Sequence, residues 1–279
     1  MNLRKALDKA KREREALGER PDVPHTASPT GAHVPPADKW HAPVYSESRA
    51  VTIDLATAVS NHCVALSPDF IEADYYKMLR TQLRQIGRKK DWNTIMVTSV
   101  SPGEGKTVTA INLAATYARE YSQTVLLVDA DLRMQSVHRY LGYASDVGLL
   151  DCLEDRVPMN DVIGWPGIDK FTIISGGAVI EESSEIMGSP RMQEMVAEMK
   201  SRYDDRTVIF DVPPVLGGAD TLAFAPLVDC IILVLGAGIT RRQDLEKVMK
   251  LLPQEKIAGF VLNRFHGKTR LYGRYGERL

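Results

Sequence analysis

Ser99-Val-Ser-Pro-Gly-Glu-Gly-Lys-Thr107 follows an apolar, strand-like run, Thr94-Ile-Met-Val-Thr98, and precedes a helix-like run from Val108 to Arg119. A strand, a glycine-containing loop ending in Gly-Lys-Thr and then a helix form the setting of a phosphate-binding P-loop. Gly103 and Gly105 let backbone N–H groups close around a polyphosphate, and the helix N-terminus adds partial positive charge. Lys106 would reach the β- and γ-phosphates, and the Thr107 hydroxyl would hold Mg²⁺. Ser101, Pro102, Glu104 and Val108 complete the predicted nucleotide-binding stretch. The strict pattern places glycine where this chain has Val100, and a glycine turn ahead of an amphipathic helix would also contain Gly-Lys-Thr. The tripeptide therefore needs support from elsewhere in the chain.

Two further motifs supply it. Thr124-Val-Leu-Leu-Val-Asp-Ala-Asp-Leu-Arg133 opens with five apolar or β-branched residues, the mark of a strand buried on both faces. Asp129 and Asp131 then fall at its C-terminal end, where open α/β sheets carry their ligands. Two residues apart on a strand, their carboxylates point to one side and suit a shared cation and water. Arg206-Thr-Val-Ile-Phe-Asp-Val-Pro-Pro214 repeats the pattern, ending in Asp211 in the manner of a Walker-B acid. Any one of these aspartates alone would read as a helix cap or turn residue. Three of them at strand ends downstream of a P-loop read as a metal and nucleotide site.

The chain has 279 residues, 44% hydrophobic and 25% charged, the composition of a soluble globular protein. No run approaches the length of a membrane span, and the charged N-terminus lacks the apolar core of a signal peptide. The expected location is the cytoplasm. Cys63, Cys152 and Cys230 are odd in number and lack metal-like spacing, so inert buried thiols are expected. A net charge of −1 argues against a global attraction to nucleic acid or anionic lipid.

Residues 1–20 read as a short helix with seven basic and four acidic side chains, either solvated or docked on a partner helix or a membrane surface. Residues 21–65, rich at first in Pro, His, Ala and Ser, are expected to be a disordered linker. The folded domain is expected over 66–264, opening with a helix whose capping chemistry starts at Ser67. Strands are predicted near 94–99, 124–129, 171–175, 207–211, 230–235 and 257–262, alternating with helical stretches. That alternation predicts a three-layer α/β P-loop NTPase domain with a mostly parallel central sheet flanked by helices. A basic tail over 265–279 contains Tyr272 and Tyr275 between glycines and reads as a mobile extension.

The ordered set SPGEGKT, LLVDADLR and VIFDVPP, together with ISGG, EIMGSPRM (185–192), VDCIILVLGAGIT and GFVLN, resembles the bacterial tyrosine kinases of the P-loop type that regulate capsule and exopolysaccharide export. The resemblance runs from about residue 66 to 264. Related partitioning and division-site ATPases carry a second lysine early in the P-loop, where this chain has Ser101 and Pro102. The resemblance implies ATP and Mg²⁺ as cofactors and a catalytic set of Lys106, Asp129 and Asp131. Thr107, Asp129 and Asp211 would hold the metal, with Asp129 as base for a tyrosine hydroxyl and Asn263 against the adenine. This inventory suffices for phosphoryl transfer, which needs mainly positioning and charge neutralisation.

Two departures from the family pattern stand out. The family's Glu-x-x-Arg-x-x-Arg signature for ring assembly becomes Asp74, Lys77 and Arg80, and lysine lacks the bidentate fork of arginine. The usually dense C-terminal tyrosine cluster shrinks to Tyr272 and Tyr275, the expected phosphoacceptors. The resemblance also implies a homo-oligomer and an activating partner, a transmembrane polysaccharide chain-length regulator that would recruit the chain to the inner face of the membrane. Two other readings remain at this stage. One is a nucleotide-switched positioning ATPase, and the other a non-catalytic nucleotide-binding scaffold for polysaccharide export.

Overall fold

The computed structural model describes residues 48–67, 70–203 and 205–266. Its strands are, in chain order, β1 (Arg49–Ala50), β2 (Thr94–Ser99), β3 (Thr124–Asp129), β4 (Gly164–Trp165), β5 (Phe171–Ile174), β6 (Arg206–Asp211), β7 (Cys230–Gly236) and β8 (Ile257–Asn263). They form one sheet in the order β1-β4-β5-β3-β6-β2-β7-β8. All neighbouring pairs are parallel except β4 with β5. This is the mostly parallel, helix-flanked sheet expected of a P-loop NTPase.

Side-chain alternation along the strands builds the two outer layers. Ile95, Val97, Val125, Leu127, Ile209 and Ile232 face one way, onto Ile111, Leu113 and Ala114 of the helix Lys106–Ala118 and Leu83 of the helix Ala73–Lys90. Met96, Leu126, Val128, Val208, Phe210 and Leu233 face the other way, onto Met192, Met195 and Met199 of the helix Pro190–Ser201. Both faces of the central strands are covered, which is why these segments are apolar throughout. On the second face Phe210 meets Phe224 edge to face, centroids 5.0 Å apart. Burying a side chain of that size contributes about 1.5–3 kcal/mol.

The strand order is what assembles the site. β6 lies between β2 and β3, so the P-loop leaving β2 and the acids ending β3 and β6 emerge side by side. Asp129 and Asp211 are register partners on adjacent strands, and Val97 pairs with Asp211 on the other side.

Two expectations about the domain's start need correction. Structure begins upstream of residue 66: β1 pairs with β4, and a helix over Leu55–Ser60 is capped by Asp54, whose carboxylate accepts the Ala56 N–H at 3.0 Å. Ala58, Cys63 and Ala65 are fully buried, so residues 48–65 pack on the domain and are not linker. A two-residue strand and a six-residue helix are too short to show periodicity, which is why they escaped notice. The next helix starts at Ala73, several residues beyond the Ser67 signal, and Glu72 at its N-cap makes no side-chain cap. The N-terminal segment 1–47 and the tail 267–279, with Tyr272 and Tyr275, lie outside the described residues. Among the described residues no helix is long and apolar enough to cross a membrane.

The cysteines conform to the inert reading. All three are buried and free. Burial pushes the Cys63 and Cys230 thiols up to about 12. Burial, helped by Asp151, raises Cys152 to about 11.

Candidate active site

The P-loop is shaped from within. Gly103 and Gly105 adopt left-handed backbone conformations, with φ of +80° and +97°. Val100 does not, and it is buried in the core, so the position where the strict pattern has glycine makes no demand for one. Glu104 turns inward and is fully buried. One carboxylate oxygen accepts the N–H groups of Val100 and Ser101 at 2.8 and 3.0 Å, and the other accepts the Thr240 hydroxyl at 2.5 Å. Its side chain therefore braces the loop from within, so that any contact Glu104 makes with a nucleotide falls to its backbone. Ser101 contributes backbone to the same bracing, and its carbonyl accepts the Ser99 hydroxyl at 2.9 Å. Pro102, Gly103, Gly105, Lys106, Thr107 and Val108 line the cleft itself.

Asn263, at the end of β8, also serves the loop. Its Nδ2 donates to the Glu104 carbonyl at 2.9 Å, and its side chain lies against Gly105. It borders the same cleft, a broad space of about 2270 Å³ that continues past Asp131 and Pro214 and along the helix Ala73–Lys90.

Lys106 sits in the centre of the predicted acids. Its Nζ lies 2.9 Å from Asp131 Oδ2 and 3.3 Å from Asp211 Oδ1. Burial pulls the ammonium down, but Asp211, Asp131 and Asp129 outweigh it and hold the group above the ordinary lysine range. Thr107 Oγ1 donates to Asp211 Oδ2 at 2.6 Å. Asp129 is fully buried and accepts three N–H groups, from Asp131 at 3.2 Å and from Ser136 and Val137 at 2.9 Å each. Burial, then the neighbouring Asp211 charge, raises its carboxyl to about 7. Burial raises Asp211 as well, against the pull of Lys106. The five predicted residues Lys106, Thr107, Asp129, Asp131 and Asp211 are thus brought together, with Asp131 the acid that borders the cleft.

The donor set fits magnesium and a polyphosphate. Three carboxylates face one ammonium, and such a buried surplus of negative charge favours a cation. Hard oxygen ligands from Thr107 and Asp211 suit Mg²⁺. Among the described residues no three His, Cys, Asp or Glu side chains form a metal cage of their own. The helix starting at Lys106 has no side-chain cap, which leaves its first N–H groups for an anion.

The oligomerisation trio does not stay together. Asp74 and Lys77 form an exposed ion pair at 2.6 Å. Arg80 turns inward instead, donating to the Thr116 carbonyl at 2.8 Å and pairing with Glu120 at 2.6 Å, where Arg84 joins it. With its side chain only 14% exposed, Arg80 is held by contacts within its own chain, while Asp74 and Lys77 face outward.

Sequence reasoning missed Thr240, which holds Glu104, and Ser136, whose Oγ lies 3.0 Å from Thr107 Oγ1. A serine ahead of a short helix carries only the signal of an N-cap.

Residues 95–275 match the model of the CobQ/CobB/MinD/ParA nucleotide binding domain. The chain belongs to that nucleotide-binding family. Within it, the chain falls on the bacterial tyrosine-kinase branch. It is 30% identical over 214 residues to the tyrosine-protein kinase YwqD of Bacillus subtilis, covering 76% of this chain and 89% of YwqD. Against the tyrosine-protein kinase wzc of Salmonella typhimurium it is 29% identical over 212 residues, 75% of this chain but 29% of that longer protein. Among solved structures, the kinase domain of the Escherichia coli tyrosine kinase ETK superposes with a TM-score of 0.64 at 29% identity, covering 72% of this chain and 80% of the domain. The septum site-determining protein MinD of Pyrococcus horikoshii, complexed with Mg-ADP, is more distant: TM-score 0.51, 27% identity, 62% of this chain and 71% of MinD.

Proposed function

We propose that this chain is an ATP- and Mg²⁺-dependent protein-tyrosine autokinase that regulates exopolysaccharide or capsule synthesis and export. The observation that carries the reading is the convergence of Lys106, Thr107, Asp129, Asp131 and Asp211, with Lys106, Thr107 and Asp131 bordering one cleft. Membership of the tyrosine-kinase branch supports it, as does the Mg-ADP held by the related MinD.

In this reading the P-loop N–H groups and Lys106 hold the β- and γ-phosphates. Bound Mg²⁺ would supply charge neutralisation on the phosphates, and Thr107, Asp129 and Asp211 are the residues to hold it. Asp129 takes the proton from the acceptor tyrosine as the phenolic oxygen bonds to the γ-phosphorus and the bond to the ADP oxygen breaks. A base with a carboxyl near 7 is matched to neutral pH. Asp131, bordering the cleft, orients the incoming hydroxyl. Asn263 completes the adenine end.

Tyr272 and Tyr275 are the proposed acceptors, each gaining roughly −1.5 to −2 charge in a basic tail. Such a change would loosen contacts that depend on the tail's positive charge. A transmembrane chain-length regulator is the proposed activator, with residues 1–48 as the tether to the membrane's inner face. Deleting them should weaken recruitment and leave ATP binding intact.

The test is an anti-phosphotyrosine blot of protein from a heterologous host, beside Lys106→Met and Asp129→Asn. Signal in the parent alone supports the kinase. ATP turnover without phosphotyrosine would instead favour a positioning ATPase, and nucleotide binding without turnover a scaffold. Mass spectrometry then locates the phosphate, and its absence from Tyr272 and Tyr275 with the activator present removes the tail from the mechanism.

A further inference from the structure

We propose that Ser136 is a positioning residue of the nucleotide site, setting the Thr107 hydroxyl for Mg²⁺ and locking the second motif to the P-loop. The inference rests on the Mg-nucleotide part of the proposed function.

Proton counting fixes the direction of the central contact. Thr107 Oγ1 has one hydrogen, and that hydrogen is given to Asp211 Oδ2 at 2.6 Å. In the 3.0 Å contact between the Thr107 and Ser136 hydroxyls, Ser136 must therefore be the donor. Lys106 Nζ stands farther off, 3.4 Å from the same oxygen. The Thr107 hydroxyl is thus held from two sides, by an acceptor at the end of β6 and by a donor on the turn after β3.

The same residue is tied to Asp129. Its backbone N–H donates to Asp129 Oδ2 at 2.9 Å, so one residue links the P-loop through its side chain and the second motif through its main chain. Its place in the chain suggests a different job. Ser136 stands at the N-cap of the helix Val137–Leu141, where a serine oxygen ordinarily accepts an N–H of the first turn. No such bond is made. Asp129 takes the Val137 N–H instead, at 2.9 Å. The serine hydroxyl is free of its usual structural work and spent on the residue that would ligate the metal.

The experiment measures binding of a fluorescent ATP analogue to the full chain, first in EDTA and then along a Mg²⁺ titration, for the parent, Ser136→Ala and Ser136→Thr. For Ser136→Ala the Mg²⁺ concentration at half-maximal enhancement should rise about fivefold to tenfold, the weight of one hydrogen bond. Its binding in EDTA should match the parent's. Ser136→Thr, which keeps the hydroxyl, should stay within about twofold of the parent, again on the scale of less than one hydrogen bond. An unchanged Mg²⁺ requirement in Ser136→Ala overturns the proposal. So does an equal loss with and without Mg²⁺, the signature of a merely structural residue. A parent that binds Mg-nucleotide yet makes no phosphotyrosine refutes the kinase and leaves this comparison fully readable.

Discussion

Replacing Gly105 by alanine tests how the P-loop is held. At φ +97° an L-residue adopts a backbone costing about 1–2 kcal/mol. The added Cβ would also stand 1.9 Å from Asn263 Nδ2, so the amide must swing away. Its hydrogen bond to the Glu104 carbonyl is then lost, at about 1 kcal/mol. Together these come to about 2–3 kcal/mol, and in a domain of this size roughly 4–12 °C in Tm. Asn263→Ala alone should cost only the hydrogen bond, about 1 kcal/mol. In the double variant the obstacle has gone, so the two effects should fall short of additivity by about 1 kcal/mol. Gly103→Ala is the control: φ is +80° but nothing lies within 4 Å of the new Cβ, so only the backbone term remains. The assay is thermal unfolding of nucleotide-free protein followed by circular dichroism. Strict additivity of Gly105→Ala and Asn263→Ala, or a Gly103→Ala as damaging as Gly105→Ala, would refute the reasoning.

Other outcomes follow from the charges. Lys106→Met should abolish nucleotide binding and change how stability depends on pH. With the ammonium gone, Asp129 and Asp211, already raised, keep protons that the unfolded chain releases near pH 4. The native state then binds more protons than the unfolded one, so stability falls as pH rises, by about 1.4 kcal/mol per unit for each retained proton. Melting at pH 5 and pH 7 should show a steeper loss in the variant than in the parent. Asp131→Asn should lower the phosphorylation rate and keep its rise with pH through about 7, because the base Asp129 is intact, whereas Asp129→Asn should leave no phosphotyrosine to follow. Arg80→Ala should destabilise by about 2 kcal/mol through Glu120 and Thr116. Lys77→Ala should cost at most about 1 kcal/mol, so any change it makes in sedimentation reports assembly and not unfolding.

The long strands and the acids at their ends were legible because each central strand is buried on both faces and announces itself as an unbroken apolar run. Asp129, Asp131 and Asp211 then follow from one rule, that ligands gather at the C-terminal ends of parallel strands. What lay beyond reading is of another kind. β1 and β4 are two residues each, fixed by pairing with distant chain rather than by local pattern. Glu104 sits inside the nucleotide motif but turns its carboxylate into the loop, because Val100, Ser101 and Thr240 offer it three donors. Arg80 bears the charge of an assembly residue and spends it on the Thr116 carbonyl. Motif spacing specifies which residue occupies a place. Only the packing around it specifies which way the side chain turns.

Asn263 has a mechanical consequence. It is the last residue of the sheet, and its amide grips the backbone of the phosphate-wrapping loop. The chain turns away at once, with Arg264 in the left-handed conformation at φ +57°. A pull exerted on Arg264 therefore reaches Glu104 along two short routes, through that amide and through β7, where the Ala237 N–H holds the Asn263 carbonyl at 2.8 Å. A tether, a neighbour or an added charge out there needs no long relay to be felt where phosphate would lie.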